Sequence, residues 1–409
     1  MRKRILSMLL TLTLLLALCP AVLAEGAETP MCELAARYGF KMGAPLSFWD
    51  LQNRSYLTVI KSSFNSLTAT NEMKAYSLLD ERASRAAADG MPVMNYGSAD
   101  AMVRWAQENG IGVRGHVLVW DAYMSDWFFH EDYDTAKPYA DSETMRARTR
   151  YYIHEVMTHF ETAFPGVVYC WDVVNEAVAD GPDEYAEGDP RHLRTLRSGT
   201  VNLFREYLGD DYVPFAFQCA YETRAELGAD IRLYYNDYNA YFPEKAQAIL
   251  ALMETVNTYV TDENGEPVRL ADGIGMQGYI GGYGTQEGCL EESHIGMIRD
   301  AILGYAAAGF EVQITEMAVR NFDRSQAERH AQFYADLFRM FTGLYDGETN
   351  PLCAVSIWGL TDNPYAQAGT YTYNLNSPYG GLYNERYGRK DAWRMVYAVL
   401  SGEADAAQE

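Results

Sequence analysis

Eight short runs of apolar, β-branched or aromatic residues recur along the chain, separated by segments in which apolar residues repeat with helical spacing. The runs lie near Phe40 to Gly43, Phe64 to Thr70, Ile111 to Leu118, Val167 to Val174, Ile231 to Tyr235, Gly273 to Tyr279, Glu311 to Thr315 and Ala354 to Trp358, and each reads as a strand. Between them, Ile153, Val156, Met157 and Phe160, then Ile295, Ile298 and Ile302, then Phe333, Leu337 and Phe341 each fall on one helical face. Ser98 precedes one predicted helix that Gly110 ends, and Pro243 opens another where its missing N–H would be unpaired anyway. Eight strand-then-helix units imply a parallel sheet. Closed on itself, that sheet is a single eight-stranded parallel β/α barrel (a TIM barrel) of the α/β class, with active residues at the C-terminal ends of the strands. A doubly wound open sheet is the structural competitor.

A length of 409 residues suggests two or three domains at about 150 residues each, but α/β barrels run to about 250 residues or more as one unit. No Ser-, Gly- or Pro-rich linker divides residues 25–400, so one catalytic barrel is expected there, followed by a small acidic tail over 401–409. Residues 1–24 read as a signal peptide: Arg2, Lys3 and Arg4 precede an apolar stretch from Ile5 to Leu18, and Val22-Leu23-Ala24 suits cleavage. Secretion is therefore expected. Leu18 before Cys19 and Pro20 after it speak against a lipid anchor.

Lys and Arg number 33 against 56 Asp and Glu, a formal charge of −23, which repels a phosphate backbone and argues against nucleic-acid binding. No later stretch reaches the roughly 20 apolar residues needed to span a membrane. A soluble monomer acting on a neutral or cationic partner, rather than an acidic one, is expected. Beyond Cys19, the cysteines Cys32, Cys170, Cys219, Cys289 and Cys353 are odd in number and irregularly spaced, which is no disulfide framework. Cys170 and Cys353 sit in apolar runs and read as small buried hydrophobes.

Two motifs imitate other chemistries. Gly273-Ile274-Gly275-Met276-Gln277-Gly278 matches a dinucleotide-binding fingerprint, but the glycines lie within a strand and no helix follows to receive a pyrophosphate. His154-Glu155 with His159 resembles a zinc-protease helix with one residue too many. At about 100° per residue the two imidazoles stand roughly 140° apart, against about 40° at spacing four. The remaining histidines form no ligand spacing, so neither a metal nor another cofactor is expected.

Chemistry is carried by two glutamates. Glu176 ends Trp171-Asp172-Val173-Val174-Asn175-Glu176, the fourth run, and Glu316 ends Glu311-Val312-Gln313-Ile314-Thr315-Glu316, the seventh. Carboxylates are normally kept out of apolar strands, and two at the C-terminal ends of separated barrel strands can face each other across the mouth. Such a pair suits glycoside hydrolysis, in which one carboxyl donates a proton while the other, ionised, attacks the anomeric carbon.

With these surroundings the chain resembles glycoside hydrolase family 10, the retaining endo-β-1,4-xylanases, from about Phe40 to Trp393. The ordered motifs are Asn71-Glu72-Met73-Lys74, Arg114-Gly115-His116-Val117-Leu118-Val119-Trp120, Trp171 to Glu176, Asn236-Asp237-Tyr238-Asn239, Gly273 to Gln277, Ile314-Thr315-Glu316 and Trp358-Gly359-Leu360-Thr361-Asp362. The resemblance implies Glu176 as general acid/base, Glu316 as nucleophile and Asn175 as a hydrogen-bond donor to the sugar 2-OH. It implies that Asn71 and Lys74 bind sugar towards the non-reducing end, and that His116, Trp120, Gln277 and Trp358 shape the cleavage point. Xylan or a related β-glycan is the implied substrate. Trp171, which opens its motif well before the strand end, reads instead as a core aromatic.

Departures from the family pattern touch the same region. Asp121-Ala122-Tyr123 follows Trp120 in place of His-Ser-Gln. Tyr279 replaces a histidine that bonds the nucleophile, and Ala318 replaces the aspartate that orients that histidine. Thr70 stands where a glutamate is common, and Ala366 where a second cleft tryptophan is usual, with Tyr365 the nearest aromatic. Tyr279 is thus expected in the substrate pocket as a neutral phenol beside the nucleophile. Three readings stay open: an endo-xylanase, a family-10 enzyme turned towards another β-glycan or β-glycoside, and a carbohydrate-binding protein that no longer turns over.

Overall fold

Every barrel strand alternates with a helix, and the ladder of parallel pairings returns to its starting strand. In the computed structural model, which describes residues 28–280, 286–366 and 377–403, the strands are β1 (Lys41–Leu46), β2 (Ser66–Ala69), β3 (Gly112–Gly115), β4 (Val168–Asn175), β5 (Arg232–Asp237), β6 (Gly273–Met276), β7 (Glu311–Val319) and β8 (Leu352–Ile357). Consecutive strands pair in parallel, for example Gly43 with Ser66, and β8 closes on β1 at Lys41 and Ala354. This is the expected closed barrel. The open sheet is excluded because β1 pairs on both sides, with β2 and with β8. The proposed signal peptide, Cys19 and residues 404–409 of the acidic tail lie outside the described residues.

The helices following the strands are α1 (Arg54–Ser63), α2 (Gly97–Glu108), α3 (Ser142–Ala163), α4 (Tyr212–Leu227), α5 (Pro243–Asn257), α6 (Ser293–Ala307), α7 (Ala327–Gly343) and α8 (Asp391–Ser401). Their apolar stripes face the barrel: Ile153, Val156, Met157 and Phe160 of α3 are buried, as are Phe333, Leu337 and Phe341 of α7. Pro243 occupies the first turn of α5 as expected. The start of α2 differs from expectation. Ser98 lies inside the helix, Tyr96 caps it without a side-chain bond, and the Asn95 carboxamide oxygen accepts from the Gly97 N–H at 3.1 Å. The predicted strand Gly273 to Tyr279 is also broken, with Tyr279–Ile280 pairing separately to β7. Gly278 between the two pieces has φ +79°, a conformation glycine adopts without penalty.

The glycines that mimicked a nucleotide fingerprint are explained by crowding inside the barrel. A Cβ on Gly275 would lie 2.4 Å from Asn236 Oδ1 and 2.9 Å from an Arg114 nitrogen, so only glycine leaves room for those polar side chains. The two α3 histidines serve separate partners. His159 bonds Asp100 at 2.7 Å and stacks on Tyr96, while His154 meets Glu155 at 3.1 Å. Cys170 has its thiol pushed up to about 12 by burial, which suits an inert core thiol. Among the described residues no helix is long and apolar enough to cross a membrane.

The barrel interior holds an ion pair. Arg114 forks onto Asp172 with both terminal nitrogens, and its Nε donates to Gln313 Oε1 at 3.1 Å; Arg114 and Asp172 are both fully buried. Removing one partner strands the other charge in the core, so Asp172→Ala is expected to lower unfolding stability by about 3–5 kcal/mol. Denaturant unfolding checks this, and a loss within the range of an ordinary surface substitution, about 0.5 kcal/mol, would contradict it.

Candidate active site

Most residues of the candidate site stand at, or just beyond, the C-terminal end of a barrel strand, while Glu316 lies inside β7, which continues to Val319, and Arg197 lies on a hairpin beyond β4. Glu176 follows β4 with φ +56°, a left-handed backbone that costs of order 1–3 kcal/mol for a residue with a side chain and recurs at functional sites. Its N–H is tied to the Asn236 carbonyl of β5 at 2.9 Å. Glu316 lies within β7, its N–H bonded to the Gln277 carbonyl at 2.8 Å. Glu176 and Glu316 are both buried.

A chain of carboxamides joins the two carboxylates. Asn236 Nδ2 donates to Glu316 Oε1 at 3.1 Å and to Asn175 Oδ1 at 2.9 Å. Gln277 Nε2 donates to Glu176 Oε1 at 2.9 Å and lies 3.4 Å from Asn175 Oδ1. Thr315 fixes Asn236 by donating to its Oδ1 at 2.7 Å. One donor is left over: Asn175 Nδ2 is buried and has no hydrogen-bond partner among the described residues. Buried donors are nearly always paired, so an unpaired one at such a site suits an acceptor supplied by a ligand.

The second oxygens of the carboxylates meet residues outside that chain. The Tyr279 hydroxyl donates to Glu316 Oε2, and Arg197 Nη1 donates to Glu176 Oε2 at 2.8 Å. Arg197 also grips Asp121 through Nε at 2.9 Å and Nη2 at 2.7 Å. Burial works against the Arg197 charge, yet the bond to Asp121 and the attraction of Glu176 and Asp121 outweigh it and hold the guanidinium above the usual arginine range.

On the β2 side, Lys74 Nζ donates to Asn71 Oδ1 at 3.1 Å and lies over the rings of Trp120 at 5.1 Å and Tyr123 at 4.6 Å. Lys74 is buried, contrary to what a solvated surface charge would show. Burial pushes its ammonium below the usual lysine range, opposed by the charges of Glu316, Glu176 and Glu72, so Lys74 feels both carboxylates. His116 is buried, with Nδ1 at 2.8 Å from Asp172 Oδ2 and its ring edge-on to Trp120 at 5.9 Å. Trp358 follows β8, its N–H bonded to the Met317 carbonyl at 2.8 Å beside Glu316. Trp171 is fully buried against Phe160, the core role expected of it. Tyr365 is 90% exposed and Ala366 buried, so no aromatic fills the position of the absent second tryptophan among the described residues.

Sequence reasoning missed two members of this arrangement. Asn236 lay inside a quoted motif with no role attached, although its place at the end of a strand was a usable signal. Arg197 offered none. It sits on a two-residue hairpin, Leu196–Arg197 against Thr200–Val201, in the long segment between β4 and α4 that shows neither motif nor period.

Comparison with known proteins decides the family, since the model for glycosyl hydrolase family 10 matches residues 31–399. The chain belongs to glycosyl hydrolase family 10. Endo-1,4-beta-xylanase B of Butyrivibrio fibrisolvens is 30% identical over 366 residues, covering 88% of this chain and 51% of that protein, so the chain spans about half the length of that relative. Endo-1,4-beta-xylanase of Geobacillus stearothermophilus is 30% identical over 376 residues, covering 87% and 95%. In fold, the chain is similar to the N-terminal endo-1,4-beta-D-xylanase 10B of Clostridium thermocellum, solved with xylohexaose, at a TM-score of 0.75 and 24% identity over 91% of this chain and 68% of that one.

Four of the departures from the family 10 pattern form two local sets. Tyr279 and Ala318 are partners in the parallel register between Tyr279–Ile280 and β7, so the phenol and the missing acid are one change. Asp121 and Tyr123 form the other: Asp121 holds Arg197, while Tyr123 packs on Trp120 at 4.4 Å and faces the Lys74 ammonium.

Proposed function

We propose that this chain is a secreted, monomeric, retaining endo-β-1,4-xylanase in which Glu176 is the acid/base and Glu316 the nucleophile. The observation that carries the reading is the carboxamide chain from Glu316 through Asn236, Asn175 and Gln277 to Glu176, with Asn175 Nδ2 unpaired between the two carboxylates. Both oxygens of Glu316 accept hydrogen bonds, as an ionised nucleophile requires. In the first step Glu316 bonds to the anomeric carbon while Glu176 gives its proton to the departing oxygen. In the second, Glu176 takes a proton from water as that water displaces Glu316. Asn175 Nδ2 would donate to the sugar 2-OH throughout, a contact that strengthens as positive charge develops on the ring.

Retention is the test of this assignment, because the family resemblance implies carboxyl groups about 5 to 5.5 Å apart, too close for water to attack directly. Proton NMR of the first-formed sugar should show the β-anomer before mutarotation. An α-anomer would remove Glu316 as nucleophile. The polymer is the partner that suits a site carrying Trp120, Tyr123 and Trp358, and the N-terminal pattern of Met1 to Ala24 supports export. N-terminal sequencing of protein recovered outside expressing cells, together with its sedimentation mass, tests those two parts.

A second reading, shifted specificity, is favoured by Tyr279 on the nucleophile. A phenol needs no partner to fix a tautomer, which fits Ala318 beside it, and its hydroxyl lies farther from the backbone than an imidazole nitrogen would. Tyr279→His with Ala318→Asp is expected to raise activity on xylan relative to aryl β-glycosides by about tenfold, the worth of one well-placed hydrogen bond. An unchanged substrate ratio, in a parent that already cleaves xylan well, would make Tyr279 a neutral replacement. No turnover of any β-glycoside by the parent would favour a pure binding protein instead.

A further inference from the structure

Hydrogen-bond accounting around Glu176 raises a difficulty that its dual role must resolve. Gln277 Nε2 donates to one carboxylate oxygen at 2.9 Å and Arg197 Nη1 to the other at 2.8 Å. Two donors on two oxygens suit an ionised carboxylate. A protonated carboxyl carries its own hydrogen on one oxygen, and that hydrogen must point at the leaving oxygen of the substrate rather than at a guanidinium. Glu176 as base is therefore served by Arg197, and Glu176 as acid is opposed by it.

The same guanidinium has a second anion in reach. Arg197 presents Nε and Nη2 to Asp121 Oδ2 and Oδ1 at 2.9 and 2.7 Å, the parallel fork that gives arginine–carboxylate pairs their strength. Asp121 is buried to 7% side-chain exposure and Arg197 to 22%, so both bonds lie largely out of water. The hairpin carrying Arg197 turns through Ser198 (φ 49°) and Gly199 (φ 83°) and is braced by Glu184, which accepts from Ser198 N–H at 3.0 Å. Arg197 thus stands between two carboxylates, one reactive and one not.

We propose that Arg197 is a positioning residue that alternates between two counter-ions, resting on Asp121 and on the Glu176 main-chain carbonyl, to which Nη2 donates at 3.1 Å, while Glu176 donates its proton, and bridging both carboxylates while Glu176 is the base. This rests on Glu176 being the acid/base. No atom is transferred to or from Arg197. Asp121 is then the alternative seat that lets the cation leave Glu176.

The two partners should have opposite effects. Asp121→Asn removes the alternative seat and leaves the cation on Glu176. The kcat/KM for substrates with poor leaving groups, such as xylan or an unactivated phenyl β-glycoside, is expected to fall about tenfold, with little change for a dinitrophenyl β-glycoside whose departure needs no proton. Arg197→Met removes the cation that favours the ionised carboxylate, so at a given pH more Glu176 is protonated as acid and less is ionised to act as base. It should spare or raise kcat/KM for the poor leaving groups while lowering kcat about tenfold for the dinitrophenyl substrate, where breakdown of the glycosyl-enzyme limits turnover. The double variant should behave like Arg197→Met, because Asp121 acts only through Arg197.

Thermal unfolding of each variant separates loss of function from loss of fold. Parallel losses on both substrate classes in two folded single variants, or additive losses in the double variant, would overturn the alternation while leaving Glu176 as acid/base. Equal loss of kcat/KM for both leaving-group classes in Glu176→Gln would overturn the acid/base reading, and the alternation with it.

Discussion

Glu316→Gln is expected to lower turnover of every β-glycoside by about 10⁴- to 10⁶-fold, the scale on which an enzyme loses a nucleophile. An amide at this position keeps the size of the side chain, and its single oxygen can still accept from one of Asn236 and Tyr279, which bond separate oxygens of Glu316. What it cannot do is form a bond to the anomeric carbon. The control is Glu316→Ala with azide: a small anion entering the vacated space should attack an activated aryl substrate and give a glycosyl azide of inverted configuration. A Glu316→Gln protein with substantial turnover, or a retained azide product from Glu316→Ala, would show that the nucleophile lies elsewhere.

Glu176→Gln should divide substrates by their leaving groups. Proton donation contributes typically 10²- to 10⁴-fold, so kcat/KM for xylan or a poor aryl leaving group is expected to fall by about that factor. A dinitrophenyl glycoside, which departs as a stable anion, should lose far less in the same parameter. Its breakdown step still needs a base, so kcat should fall and glycosyl-enzyme should accumulate, visible as a burst of phenolate. Added azide should relieve that step in Glu176→Ala and give a product of retained configuration, opposite to the result for Glu316→Ala. Equal loss for both leaving-group classes in kcat/KM would remove Glu176 as the acid.

The barrel and the two carboxylates were legible because both are written in local pattern. A strand buried between a helix layer and a packed interior must be apolar along its length, so each of the eight runs announced itself, and Glu176 and Glu316 stood out as acids ending two of them. Asn71, Lys74, Trp120, Asn175 and Gln277 were legible only through ordered motifs. None of these types is distinctive alone, and each becomes informative by its position after a strand. His116 is the instructive middle case. As a lone histidine it looked like core, and it is indeed buried on Asp172; its contact with Trp120 belongs to the end of β3, which its motif marked.

The sequence by itself therefore determined the class of fold and the number of strand–helix units, since hydrophobic periodicity acts over a few residues at a time; Glu176 follows its strand as read, whereas the seventh strand runs past Glu316 to Val319. Only the tertiary structure decided which polar groups share hydrogen bonds. Arg114 with Asp172 spans 58 positions, Asn236 with Glu316 spans 80, and Arg197 with Asp121 spans 76. Closing the barrel sets those distances, and nothing within a few residues of Arg197 records that it will meet Glu176. The physical reason is the reach of the forces involved. Burial sorts residues locally by their affinity for water, whereas a buried charge finds its partner only after the chain has brought distant strand ends to one mouth and excluded the water that would otherwise satisfy it.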